Sequence, residues 1–312
     1  MDAQPGPIDR RQFLRLGAGT VAALAFPNRL GASPYPADLI TRAIPSSGER
    51  IPAIGMGTYI TFNVGGSKRL RQDRAKVLQT FFDMGGGMID SSPMYGSSEE
   101  VIGYCLNATT KTERMFSATK IWTPSGATGR EQMNDSLDLW GVRSFDLQQV
   151  HNLVNWRSHL DYMRSLKEKG RIRYLGITTS HGRRHDELES VLKNEPLDFV
   201  QLTYNIENRR TEDRLIPLAA ERGIAVIANR PYAGGRLMDR YQGEPLPDWA
   251  PEAGMANWAE FFLKFVIARP GITCAIPATS QVAHMRENMG AMRGKLPGEA
   301  IRKRMADYVA RL

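Results

Sequence analysis

The chain reads as an α/β protein folded as a (β/α)8 barrel, on three observations. Eight short apolar runs recur along it, separated by stretches with helical periodicity, which is the pattern of a parallel sheet with crossover helices. No GxGxxG follows an early strand, so a closed barrel is favoured over a doubly wound sheet. Once an N-terminal segment is set aside, roughly 280 residues remain without an internal linker, which suits one barrel of ~250 residues.

That N-terminal segment spans residues 1–33 and precedes a barrel domain predicted over 34–312. Asp9, the pair Arg10-Arg11, then Phe13-Leu14-Arg15 and an apolar stretch from Leu16 to Phe26 have the layout of an export signal. The arrangement resembles a twin-arginine signal, which implies the twin-arginine export machinery as a partner and a periplasmic or otherwise exported location, with cleavage near Ala32. A disordered basic tail is the competing reading. The apolar stretch is shorter than the roughly 20 residues that cross a bilayer, so no permanent membrane span is expected.

The elements then follow in order. Two short extended runs flank Ser46-Ser47-Gly48 and read as a hairpin with a turn. Ala53-Ile54 is the first barrel strand. Asp73 to Met84 sets Val77, Leu78, Phe81 and Phe82 on one face of a helix, and Gly85-Gly86-Gly87 reads as its stop rather than as a phosphate loop. Met88-Ile89, Phe116–Lys120, Leu147–His151, Tyr174–Thr179, Phe199–Tyr204, Ala225–Ala228 and Cys274–Pro277 complete the eight strands. Between two of them, Ser158 to Lys169 carries Leu160, Met163 and Leu166 at helical spacing behind a serine cap.

Composition excludes several functions. The formal charge is +8 and falls to +6 without residues 1–33. Basic and acidic residues interleave, as in the run Glu207 to Arg214, whereas a nucleic-acid surface gathers its cations on one face, so no nucleic-acid partner is expected. Cys105 and Cys274 lack CxxC spacing and are expected as single buried thiols.

Three successive strands end on ionisable side chains: Asp90 with Tyr95 just beyond it, then Lys120, then His151. Barrel enzymes draw their catalytic groups from such strand ends. A phenol titrates near ~10, so Tyr95 alone is a sluggish proton donor; an adjacent ammonium is expected to lower that value, with Asp90 holding the lysine. His151 can orient a substrate oxygen by hydrogen bonding. Singly, Asp90 reads equally well as a turn cap and His151 as a structural histidine. The conjunction on neighbouring strands is what points to chemistry.

These residues, with GMGTY at 55–59, IDSSPMYGSSEEVIG at 89–103, TKIW at 119–122, VHN at 150–152, VQLTYN at 200–205 and IPATSQVAHMRENM at 276–289, resemble the aldo-keto reductase family. The resemblance implies that the hairpin closes the barrel floor and that a nicotinamide cofactor binds without a Rossmann fold. It makes Asp90, Tyr95, Lys120 and His151 the catalytic tetrad. It also places Gly57, Thr58, Tyr59, Asp90, Thr178, Thr179, Gln201, Arg230, Pro277, Ala278, Thr279, Ser280, His284, Glu287 and Asn288 along the cofactor.

Departures from the family pattern lie on the cofactor side. Thr178 and Thr179 stand where a serine and an asparagine hold the carboxamide, and Asn229 replaces a ring that stacks on nicotinamide, with Tyr232 a candidate substitute. Ala278 and His284 occupy positions where many relatives carry bases that bind the adenosine 2′-phosphate, and the loss of those fixed cations weakens selectivity for NADP(H); the resemblance still implies NADP(H) first, with NAD(H) as a second cofactor.

Tyr59, Met94, Trp122, Asn152 and Trp156 are candidates to line an open substrate pocket for small aldehydes or ketones. The expected function is NAD(P)H-dependent carbonyl reduction by a monomer. A metal-dependent barrel hydrolase or isomerase is disfavoured, because His181 and His185 in HGRRH read as a loop opening and no metal site is expected. A cofactor-sensing or partner-binding subunit with residual reductase activity is the alternative.

Overall fold

The computed structural model describes residues 35–241 and 243–311. The export-signal reading and the domain boundary after residue 33 therefore lie outside the described residues.

A hairpin of β1 (Thr41–Ala43) and antiparallel β2 (Arg50–Pro52) leads into the barrel, as the two extended runs predicted. Its turn closes through Ile44 and Glu49, with Gly48 at φ 75° donating its N–H to the Ile44 carbonyl.

Eight parallel strands follow in sequence order: β3 (Met56–Gly57), β4 (Met88–Asp90), β5 (Phe116–Ile121), β6 (Phe145–Val150), β7 (Ile172–Thr178), β8 (Phe199–Thr203), β9 (Ala225–Asn229) and β10 (Ile272–Ala275). The helices α1 (Lys68–Asp83), α2 (Ser98–Asn107), α3 (Gly126–Trp140), α4 (Trp156–Glu168), α5 (His185–Asn194) and α6 (Leu215–Glu221) alternate with them. Then α7 (Arg236–Tyr241) and α8 (Trp258–Ile267) separate β9 from β10, and α9 (Val282–Gly290) and α10 (Glu299–Val309) end the chain. No described helix is long and apolar enough to cross a membrane.

The first strand differs from the expected Ala53-Ile54. The ladder to β4 uses Met56 and Gly57, while Ile54 and Gly57 bridge to Ala275 and Ala278 and close the barrel. The glycines make this approach possible: a Cβ on Gly55 would lie 2.9 Å from the Met88 carbonyl oxygen, and one on Gly57 2.8 Å from that of Ile276.

Inside the barrel Met88, Phe116, Leu147, Tyr174, Phe199 and Ile227 pack with Ile44 and Ile51 of the hairpin, so the hairpin plugs the floor. Tyr174 fixes it by donating its hydroxyl to Glu49 at 2.6 Å. With its lower end filled by the hairpin, the rim at the C-terminal ends of the strands is where a barrel of this kind takes its ligands. Cys105 and Cys274 are free and buried as expected, and burial holds both thiols well above the ordinary range.

Two helix starts depart from the sequence reading. α1 begins at Lys68 rather than Asp73, because Ser67 accepts from the Leu70 N–H and adds a polar turn with little apolar periodicity. α4 begins at Trp156 rather than at the Ser158 cap, after Asn155 in the left-handed region, though Leu160, Met163 and Leu166 are buried as predicted. α1 stops where the glycines require it: Gly85 at φ 92° and Gly86 donate back to Phe82 and Phe81.

Candidate active site

The strand order brings the four predicted residues together at the open end. Asp90 closes β4, Lys120 sits one residue from the end of β5, and His151 directly follows β6. Tyr95 is carried back toward them by a single 3-10 turn, Pro93–Tyr95, with proline at its start and Ser92 capping the Met94 N–H.

Lys120 is wholly buried and donates to Asp90 Oδ2 at 2.5 Å and to the Ser91 carbonyl at 2.8 Å. The other carboxylate oxygen accepts from the side-chain amides of Gln149 at 3.0 Å and Gln201 at 2.9 Å. A buried ion pair persists only when its remaining valences are met in this way. Burial works against the Lys120 ammonium, but the Asp90 carboxylate offsets it, and the lysine titrates above its ordinary value.

Tyr95 is half-buried, with Lys120 Nζ 5.2 Å from its ring centroid and the rings of Tyr59 and His151 edge-on at 5.0 and 5.7 Å. Its phenol is shifted upward, not downward as the sequence suggested. Loss of hydration raises it, Lys120 pulls it down, and Asp90 pushes it up again. Burial is the largest cause, and Asp90, 2.5 Å from the ammonium, cancels part of the lysine charge that would offset it. Tyr95 therefore keeps its proton at neutral pH.

His151 is 5% exposed, and its Nδ1 lies 2.9 Å from Ser92 Oγ. Burial, reinforced by the Lys120 charge, lowers its pKa to about 3. The imidazole is thus neutral, able to orient an oxygen but not to supply a proton as a cation. Since the unfolded histidine titrates near ~6.5 and the folded one near 3, the unfolded chain binds the extra proton between those values. Stability due to His151 then falls as pH drops through that window, by up to ~1.4 kcal/mol per pH unit. Urea midpoints at pH 5 and 7 should separate further for the wild type than for His151→Asn; equal separations would refute the shift.

The cofactor candidates divide into free and engaged groups. Gly57 and Pro277 serve barrel closure, the Gly57 N–H donating to the Pro277 carbonyl. Thr58 is buried and donates to the Asp90 carbonyl, and Thr178 accepts from the Asn152 N–H. Ala278, Thr279 and Ser280 form the loop leading to α9, on which His284 is exposed, Glu287 half-buried and Asn288 buried. Arg230 lies beyond β9 at φ 52°, with Tyr59 and Arg236 in electrostatic reach.

Two of these side chains carry buried polar atoms without a partner among the described residues, Thr179 Oγ1 and Asn288 Nδ2. Both fall among the positions that the resemblance places along a nicotinamide dinucleotide, Thr179 at its carboxamide, so the residues fit that group.

Other expectations are redirected. Asn229 donates to the Thr179 carbonyl at 2.9 Å and accepts from Thr203 at 2.6 Å, which ties it into the wall. Tyr232 does not replace the missing ring: it is buried against Phe262, with its hydroxyl on Asn288 Oδ1. Trp156 is also buried and donates to Glu187, joining α4 to α5 rather than lining the mouth. Tyr59, Met94 and Trp122 are exposed large side chains beyond β3, β4 and β5, and Ile60 at φ 64° stands with them. The Asn152 carbonyl accepts from Arg184, leaving its half-buried side chain near the same rim. Among the described residues, no cluster of His, Cys, Asp or Glu is placed to hold a metal ion.

Gln149, Ser92 and Thr203 were not singled out from sequence. Gln149 had a usable signal, an amide in a buried run that ends on His151.

The family model described as the aldo/keto reductase family matches residues 53–304. The aldo-keto reductase str7 of Strobilurus tenacellus is 28% identical over 269 residues, covering 73% of this chain and 79% of that protein. The methylglyoxal reductase YeaE of Escherichia coli (strain K12) is 26% identical over 254 residues, covering 79% and 87%. Among solved structures, the holo form of an aldo-keto reductase from Bacillus halodurans superposes with TM-score 0.71 at 21% identity, covering 87% of this chain and 96% of that one. An aldo/keto reductase from Klebsiella pneumoniae in complex with NADP and acetate gives TM-score 0.70 at 26% identity, covering 84% and 92%.

Proposed function

Because the chain belongs to the aldo/keto reductase family, we propose that it reduces small aldehydes or ketones with NADPH, Tyr95 giving the proton. The observation that carries this reading is one end of the barrel at which a protonated phenol, a buried ion pair and a neutral imidazole lie side by side.

NADPH, when bound, supplies the hydride. The chain's own residues do the rest. His151 donates a hydrogen bond to the carbonyl oxygen and turns it toward Tyr95. As negative charge grows on that oxygen, the Tyr95 hydroxyl transfers its proton there, and the phenolate left behind lies beside Lys120. Asp90, fixed by Gln149 and Gln201, keeps the ammonium in place through the cycle. Tyr59, Met94 and Trp122 give the mouth an apolar rim suited to a small organic carbonyl.

Thr179 and Asn288 would hold the two ends of the cofactor, with Arg230 toward its pyrophosphate. Replacing Thr179 with Val removes a hydroxyl with no partner among the described residues. Fluorescence titration should show NADPH bound about 5-fold more weakly, the value of one neutral hydrogen bond, with an unchanged urea midpoint. Unchanged affinity would remove Thr179 from the cofactor site. With Ala278 and His284 at the 2′-phosphate positions, NADH should also be accepted.

The function is tested by steady-state NADPH oxidation with small aldehydes and ketones, including methylglyoxal, on which the Escherichia coli relative is named to act. Multiple turnovers on any of them support the reading. Oxidation of a single bound equivalent without turnover across the panel would instead support the cofactor-sensing role, to which the engaged Asn229 lends weight. For residues 1–33 the reading is export by the twin-arginine route as a cofactor-loaded protein. Mass spectrometry of protein recovered from the periplasm should find the nucleotide bound, and an empty site there would contradict it.

A further inference from the structure

A neutral imidazole offers a proton from only one of its two nitrogens, so the role given to His151 requires a residue that decides which. Ser92 is wholly buried and makes two contacts through its hydroxyl. It accepts the Met94 backbone N–H at 3.2 Å and lies 2.9 Å from His151 Nδ1. A hydroxyl carries one proton and two lone pairs. Met94 occupies one lone pair, and no other acceptor within the described residues meets the Ser92 proton. Were Nδ1 protonated, two donors would face each other across 2.9 Å or the serine proton would point into a sealed interior. Nε2, by contrast, has no hydrogen-bond partner among the described residues and is not sealed off, so it is free to meet a ligand.

We propose that Ser92 donates its hydroxyl proton to His151 Nδ1, and so holds the imidazole as the Nε2–H tautomer with that N–H aimed at the substrate oxygen. Ser92 is a positioning residue: it touches neither substrate nor cofactor and acts through His151. The inference rests on the catalytic role assigned to His151 above, but its first readout does not depend on turnover.

The full chain carrying 15N-labelled histidine is studied at pH 7 by two-dimensional NMR of the long-range proton–nitrogen couplings, with His151→Gln identifying the His151 signals. The wild type should show Nδ1 unprotonated and Nε2 protonated. Ser92→Ala should give a mixture of tautomers and lower kcat for carbonyl reduction about 5-fold, the value of one neutral hydrogen bond, with a smaller change in KM. Ser92→Thr, which keeps a hydroxyl, should restore the single tautomer and most of kcat. A wild-type His151 protonated on Nδ1 overturns the proposal, as does a tautomer left unchanged in Ser92→Ala. A wild type without reductase activity that still shows the Nε2–H tautomer would separate the two readings, contradicting the function while leaving the Ser92 hydrogen bond in place.

Discussion

Tyr95→Phe should lower kcat for carbonyl reduction by about 10²–10⁴-fold, the usual contribution of a positioned general acid, while NADPH affinity stays close to that of the wild type. The phenylalanine ring fills the same space beside Tyr59 and His151, so the cavity keeps its shape and loses one hydroxyl. The hydroxyl's contact with the Lys120 ammonium is lost with it, but Lys120 keeps Asp90 and the Ser91 carbonyl, so the folded state should lose little. Steady-state kinetics and cofactor titration on the same preparation check both halves. Turnover within a fewfold of the wild type would mean that another group protonates the oxygen.

Lys120→Met is expected to act on both stability and catalysis. It leaves a carboxylate buried at 2% exposure, held only by the amides of Gln149 and Gln201. Breaking one side of such a pair costs about 3–5 kcal/mol, which lowers the melting temperature by roughly 10 °C in a domain of this size. Catalysis suffers as well. Tyr95 would face Asp90 without the intervening ammonium, and the phenolate formed by proton transfer would have no cation beside it. kcat should fall by about 10²-fold or more in the protein that remains folded. Calorimetry and kinetics below the new transition separate these effects. A variant of unchanged stability would show that Asp90 and Lys120 are not a buried pair in solution.

The strand ends were legible because each is an apolar run terminated by an ionisable residue, and parallel neighbours must then present Asp90, Lys120 and His151 at one rim. The floor hairpin was legible from Ser46-Ser47-Gly48 between extended runs. Helix starts were less so: Lys68 to Gln72 has little apolar periodicity, and Ser67 alone marks the beginning of α1. Register hid other parts of the site. Gln149 counts as a partner of Asp90 only once β6 is known to set it opposite Lys120, and Ser92 reads as a turn residue until the turn is folded back onto His151.

Trp156 and Tyr232 show the converse, since aromatic residues near strand ends can serve either packing or the mouth, and these two pack. The direction of the Tyr95 shift was misjudged because it depends first on how far the phenol is buried and then on how closely Asp90 cancels the lysine, neither of which any spacing in the sequence reports.

The identity of the proton source is tested most directly by the pH dependence of kcat/KM for carbonyl reduction. With a protonated Tyr95 and a neutral His151, the profile should be level from about pH 6 through the usual histidine range and fall only beyond the ordinary phenol value near 10. A profile that instead declines as pH rises through about 6.5–7 would name an imidazolium as the acid and contradict the account.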